Sequence, residues 1–208
     1  MTRRYHARMD GIGWAASAMN AARTRLDVAA ENLANGSTDG FRKSEARGFL
    51  SAQGVVMQRR RSAAQGPLRR TGRTFDLAIV GSGTFRVRDA GGRVVATRSG
   101  AFTRDRFERL VDDAGRVLLG TRGPVCVPDG ASVEADGTIS RNGAVLNRIA
   151  LPGGSSIRSG FLEASNVDAI GEMVDVLTAQ RSFEAAQKVL SAIDQTRERA
   201  NTQVAQLK

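Results

Sequence analysis

The chain has 208 residues, of which 41% are hydrophobic but only 5% aromatic, and 31 basic against 21 acidic residues give it a net charge of +10. His6 and Cys126 are single, which removes an intramolecular disulfide, Ser–His and Cys–His nucleophile pairs and histidine-based metal clusters. No catalytic, cofactor-binding or metal-binding residue emerges, so a structural building block is favoured over an enzyme.

Residues 1–8 form a basic tail with Arg3, Arg4 and Arg8. Residues 9–41 form the first segment, a helix from about Gly11 to Ala34 that stops at Asn35-Gly36, a pair suited to a left-handed cap. Along it Ile12, Ala15, Met19, Ala22, Leu26, Ala29 and Leu33 recur with strict 3,4 alternation. That 3.5-residue repeat keeps one narrow stripe facing a partner helix, as in a coiled coil. Arg3, Arg4 and Arg8 before an apolar stretch superficially resemble a signal peptide, but the seam runs on to Leu33 and Asp10 and Asn20 interrupt it. No cleaved signal and no membrane insertion are therefore expected.

Residues 42–70 read as a connector. Phe49, Leu50, Val55, Val56 and Met57 suggest a strand that Arg59-Arg60-Arg61 ends. From Thr71 the period becomes two: Phe75, Leu77 and Ile79, then Phe85 and Val87, alternate with other residues. Short apolar runs follow, separated by turn chemistry at Asp89-Ala90-Gly91-Gly92, Asp113-Ala114-Gly115, Asp129-Gly130, Asp136-Gly137 and Asn142-Gly143. All four prolines and 16 of the 23 glycines lie between Gly66 and Gly160. Residues 71–160 thus predict an antiparallel β domain, a sandwich or partial barrel.

Residues 161–208 predict a second long helix, opened by a capping box of Ser165 and Asp168. Its seam is Val176, Ala179, Phe183, Ala186, Leu190 and Ile193, resumed by Ala200, Val204 and Leu207. The fold class is α+β, with long terminal coiled-coil helices flanking the β domain. The two seams can pack on each other within one bundle or on neighbouring copies. Their alanine content offers little burial per residue, which tilts the choice toward assembly and leaves Leu190 solvated in the single chain.

Other signals are weaker. Gly81-Ser82-Gly83 lacks the third glycine of a dinucleotide loop, where Arg86 stands, and reads as a hairpin turn. Asp105, Glu108, Asp112 and Asp113 read as solvated turn residues rather than an acid–base pair. Arg59–Arg61, Arg69, Arg70 and Arg73 are the densest basic region, without interleaved aromatics. A basic, nucleic-acid-associated coiled-coil protein is the alternative they support.

Specific motifs narrow the choice. Asn32-Leu33-Ala34-Asn35-Gly36-Ser37-Thr38-Asp39-Gly40-Phe41 resembles the N-x-A-N-x-x-T-x-G-[FY] signature that ends the first helix of bacterial flagellar rod and hook proteins. Ser165-Asn166-Val167-Asp168, Glu172-Met173 and Ala179-Gln180-Arg181-Ser182-Phe183 resemble the C-terminal signature of that family. Thr71-Gly72, Asp76–Ile79, Gly81–Gly83 and Phe85–Val87 look like the start of its central β domain, and Thr97–Phe102 continues the match, as does Gly160–Glu163 just before the last helix. Thr84 replaces a usual aromatic, Glu108 a usual glycine, residues 42–70 are short for a distal-rod protein, and Met1–Arg8 precedes a natural start at Met9.

The resemblance implies a structural subunit of the flagellar basal-body rod, with a hook or hook-like protein as alternative. It implies export through the flagellar type III apparatus and helices disordered until they polymerise. Its implied partners are further copies, other rod and hook proteins and the export apparatus, with no cofactor, small-molecule substrate or nucleic acid. The assembly residues it points to are Asn32, Ala34, Asn35, Thr38, Gly40, Phe41, Ser165, Asn166, Val167, Glu172, Met173, Gln180, Arg181 and Phe183. The seam residues Ile12, Met19, Leu26, Leu33, Val176, Phe183, Leu190 and Ile193 join them.

Overall fold

The 3,4 repeat produces helix α1 over Gly11–Ala34, which buries Ala15, Ala22 and Ala29 at seven-residue spacing, together with Ala21, Val28 and Asn32. The computed structural model describes residues 11–51 and 54–206, with side chains to residue 203. The basic tail, the start at Met9 and the seam positions Val204 and Leu207 lie outside the described side chains. Two units result. One comprises the described parts of Met1–Ala34, Lys43–Ser62 and Val167–Lys208, and the other comprises Asn35–Arg42 and Ala63–Asn166.

In the first unit α1 lies antiparallel to the C-terminal helix α2, Ala169–Gln206. The direction follows from two contacts. Asn32 meets Glu172, and a Cβ on Gly11 would stand 3.1 Å from Ile193. Among the described side chains of α2 the buried ones are Glu172, Ala179 and Ala186, again seven apart. Both seams therefore face each other within one chain, and Leu190 is half-buried rather than solvated. Small side chains let two backbones approach closely, so an alanine-rich seam finds its partner in the other end of the same chain.

Residues 42–70 are more structured than a connector. Strands β1, Ser44–Ser51, and β2, Gly54–Arg61, form an antiparallel hairpin with Ser44 opposite Arg61 and Ser51 opposite Gly54. It packs on α1, where the Val55 amide donates to Ser17 Oγ at 3.4 Å and Arg59 pairs with Glu31. Arg59, Arg60 and Arg61 continue β2 instead of ending it, because their side chains are exposed and extended backbone there costs nothing. Helix α2 also starts later than the Ser165 expectation. Ala164 still donates to the Pro67 carbonyl, and Asp168 is the cap, its Oδ1 accepting the Ile170 amide at 3.2 Å.

The second unit is all β. Strand β3, Leu68–Arg70, pairs with β15, Phe161–Glu163, and β4, Leu77–Val80, with β14, Ser156–Ser159. Strand β5, Phe85–Arg88, lies between β6, Val94–Thr97, and β9, Val117–Gly120. The short β7, Thr103–Arg104, β8, Leu110–Val111, and β10, Gly123–Pro124, extend that sheet. Strands β11, Ala131–Val133, β12, Thr138–Arg141, and β13, Ala144–Arg148, form a meander. Leu77, Ile79, Phe85, Val87, Phe102, Leu110, Leu118, Val125, Val127, Ile139, Ile149 and Ile157 make one core. Phe85 and Val87 are buried while Arg86 is exposed, as the period-two pattern requires. The β3–β15 pair carries the unit beyond the expected 71–160 limits.

Three turns share one sequence pattern, Asp-x-x-x-Arg, at Asp89–Arg93, Asp105–Arg109 and Asp112–Arg116. In each the aspartate Oδ1 accepts the arginine amide, at 2.9, 2.8 and 2.9 Å. The fourth residue is left-handed, with φ of 85° at Gly92, 61° at Glu108 and 73° at Gly115. Partial burial pushes the Asp105 carboxyl up, but the Arg109 guanidinium and the amides of Arg109 and Phe107 together hold it below the ordinary carboxylate value. Among these three left-handed positions Glu108 is thus the one non-glycine. Glu108→Gly is expected to stabilise the β unit by about 0.5–1 kcal/mol, the left-handed strain less the added unfolded-state freedom. A thermal melt that stays level or falls would contradict this.

Candidate functional site

The residues singled out from sequence separate into a junction in each unit and a solvent-facing set on α2. In the helical unit the junction is Asn32, which is buried. Its Nδ2 donates to the Ser44 carbonyl at 2.8 Å and to Glu172 Oε2 at 3.1 Å, and its Oδ1 accepts the Ser44 amide at 2.8 Å. One side chain thus fastens the end of α1 to the first residue of β1 and the first turn of α2. An amide is the side chain that can do this, since it offers two donors and an acceptor at once.

In the β unit the junction is the turn Asn35–Arg42. The Asn35 carbonyl accepts the Thr38 amide at 3.1 Å, Thr38 Oγ1 donates to Asn35 Oδ1 at 3.2 Å, and the Thr38 carbonyl accepts the Phe41 amide at 3.2 Å. The Gly40 amide then donates to the Glu163 carbonyl at 2.6 Å. Gly40 has a φ of 73°, and a Cβ there would lie 2.2 Å from the Ser99 nitrogen. Phe41 is half-buried, Ala34 is exposed at the end of α1, Ser165 is buried, and Asn166 donates to the Ala64 carbonyl at 2.9 Å.

Beneath this turn lies a buried ion pair that the sequence reading did not single out. Arg98 and Glu163 have side chains 4% and 0% exposed. Arg98 Nε donates to Glu163 Oε2 at 2.7 Å, Nη1 donates to the carbonyls of Gly81 and Gly83 at 3.0 and 2.8 Å, and Nη2 donates to the Ile79 carbonyl at 2.9 Å and to Glu163. All five guanidinium hydrogens are used. Glu163 Oε1 accepts from Arg42 Nε and the Gly66 amide, both at 3.3 Å. Gly81-Ser82-Gly83 is therefore a turn whose carbonyls grip an arginine. Arg98 and Glu163 lie inside two of the motif segments, and a charged residue within such a segment was the available signal.

The third set faces water. Met173, Gln180 and Arg181 are exposed, and Val167 and Phe183 half-buried. Ile12, Met19, Leu26, Leu33, Val176, Leu190 and Ile193 are half-buried along the α1–α2 seam. Opposite that seam, the first two turns of α2 expose Ile170 (76%), Met173, Val174 and Leu177. Among the described residues no group of His, Cys, Asp and Glu is placed to hold a metal, and no helix is long and apolar enough to cross a membrane. The arrangement offers rigid junctions and an apolar helix face, which is the equipment for docking.

Three family models match the chain. They are "Flagella basal body rod protein" over residues 12–42, "Flagellar hook protein FlgE/F/G D1 domain" over 78–147 and "Flagellar basal body rod FlgEFG protein C-terminal" over 158–203. The flagellar basal-body rod protein FlgF of Escherichia coli K12 is 29% identical over 94% of this chain and 97% of its own length. The FlgF of Caulobacter vibrioides is 30% identical over 89% of this chain and 92% of its own. The flagellar hook protein FlgE of Brucella abortus is 36% identical, over 62% of this chain and 35% of its own length.

Proposed function

We infer the function from one premise: the chain belongs to the flagellar basal-body rod protein family. It is a structural subunit of the rod. The observation that carries this is length, because rod proteins match it nearly end to end, whereas hook proteins match over about a third of themselves, 35%.

The finer reading is ours. The subunit polymerises with copies of itself and with other rod and hook proteins into a helical tube that passes motor torque to the hook. A head-to-tail contact that does not close generates such a filament. The α1–α2 pair carries contacts between subunits. The exposed Ile170, Met173, Val174 and Leu177 support this, since an apolar helix face rimmed by polar residues marks an interaction surface. The motif residues Asn32, Asn35, Thr38, Gly40 and Glu172 serve assembly by fixing the shape of each unit. The lone Cys126 suits export in an unfolded state through the type III apparatus, because no disulfide has to be remade.

The test is the composition of purified basal bodies from a strain carrying a tagged copy. The tagged chain is expected in the rod fraction, and deletion is expected to abolish swimming. A chain absent from basal bodies, with swimming intact after deletion, would remove the reading. Strongly salt-dependent DNA binding by that same chain would favour the nucleic-acid alternative.

A further inference from the structure

The two seams are almost translationally symmetric. On α1 the small residues Ala15, Ala22 and Ala29 and the large residues Ile12, Met19, Leu26 and Leu33 each repeat every seven positions. On α2 the lines Ala179–Ala186–Ile193 and Val176–Phe183–Leu190 do the same. The contacts Asn32–Glu172 and Gly11–Ile193 set Ala15, Ala22 and Ala29 level with Leu190, Phe183 and Val176, and sliding one helix past the other by seven residues, ~10 Å, sets small residues level with large ones once more. Apolar packing alone therefore distinguishes poorly between neighbouring registers.

One polar contact does distinguish them. Asn32 and Glu172, 1% and 7% exposed, meet at 3.1 Å across the helix pair. Glu172 occupies the same heptad line as Ala179 and Ala186, so it is the polar member of an otherwise apolar stripe. A one-heptad slip in either direction parts it from Asn32 and leaves a buried amide hydrogen and a buried carboxylate without each other, which is costly. Asn32 is itself held by two hydrogen bonds to Ser44 and cannot follow the slip.

We propose that the Asn32–Glu172 hydrogen bond is the register lock of the α1–α2 pair. It selects one antiparallel alignment among nearly equivalent ones and so fixes which part of α2 extends beyond the end of α1. A single buried polar residue setting register is a known use of polarity in helix seams. The proposal stands apart from the rod assignment, because it concerns the isolated chain.

Disulfide trapping in the full chain tests it, in a Cys126→Ser background and scored on the monomer band. Gly11→Cys with Ile193→Cys reports the native register. Gly11→Cys with Ala186→Cys or Ala200→Cys reports a slip of one heptad either way. With Glu172 present, the Gly11/Ile193 pair should be the dominant product. Glu172→Leu leaves the Asn32–Ser44 bonds intact and suits the apolar stripe, so helix content by circular dichroism should be kept. In that variant the Gly11/Ile193 product should become minor, and a one-heptad pair should appear. Glu172→Gln retains an acceptor for Asn32 and should behave as the wild type. Three results would overturn the proposal: unchanged trapping in Glu172→Leu, loss of helix content in that variant, or equal slippage in Glu172→Gln.

Discussion

Glu163→Ala is expected to destabilise the β unit by about 3–5 kcal/mol, because it strips a buried guanidinium of its countercharge. Arg98 cannot turn to water: its side chain is 4% exposed, and three carbonyls already hold it. The loss also frees Arg42 and the Gly66 amide, both of which Glu163 Oε1 receives. Urea unfolding followed by a probe in the β unit measures the cost. The double variant Arg98→Met with Glu163→Leu is expected to recover only part of it. Replacing a buried pair by apolar residues removes the stranded charge, yet the carbonyls of Ile79, Gly81 and Gly83 then lose their donor. A cost below about 1 kcal/mol for Glu163→Ala would mean that water reaches Arg98 and that the pair behaves as a surface one.

What the sequence makes legible here depends on how local the determining interaction is. Both long helices are readable because every seam position from Ile12 to Leu33 is apolar and no proline intervenes. The β unit is readable because Phe85 and Val87 alternate with arginines and the turns carry Asp and Gly. Periodicity states that a face is buried, but not against which chain. That is why the seams, read as favouring assembly, turn out to face each other in one chain. The β1–β2 hairpin is masked by the unalternating run Val55-Val56-Met57 and by three arginines whose exposure only the folded chain reveals. The start of α2 is misplaced because Ser165 has the chemistry of a cap while Ala164 is still tied to Pro67.

Long-range chemistry is the least legible. Arg98 and Glu163 lie 65 residues apart, and Asn32 and Glu172 lie 140 apart, so no local pattern joins either pair. The Asp-x-x-x-Arg turns are the opposite case. The pattern is printed three times in the sequence, and each copy closes the same way. The missing glycine at Glu108 was visible from the resemblance, and the structure gives it a physical meaning as a left-handed residue.

Gly40→Ala is the other substitution expected to have a large effect, and Gly72→Ala is its internal control. The two glycines share a backbone, with φ of 73° and 75°, so both substitutions incur the same left-handed strain of about 1–2 kcal/mol. Their surroundings differ. At Gly72 a Cβ meets nothing within 4 Å, whereas at Gly40 it lies 2.2 Å from the Ser99 nitrogen and 2.5 Å from the Arg98 carbonyl carbon. Those are backbone atoms of Arg98, which holds Glu163, and of the residue after it, so the turn has to lift rather than the wall give way. Lifting breaks the 2.6 Å bond from the Gly40 amide to the Glu163 carbonyl, on which the turn Asn35–Arg42 rests. Overpacking of this kind adds about 1–3 kcal/mol, for a total of about 2–5 kcal/mol in Gly40→Ala. In a deletion strain, Gly72→Ala is expected to restore swimming and Gly40→Ala to fail, with both chains present at similar levels. Equal melts for the two variants would show that only the left-handed angle matters at Gly40, and the close approach to Arg98 and Ser99 would lose its role in seating the turn.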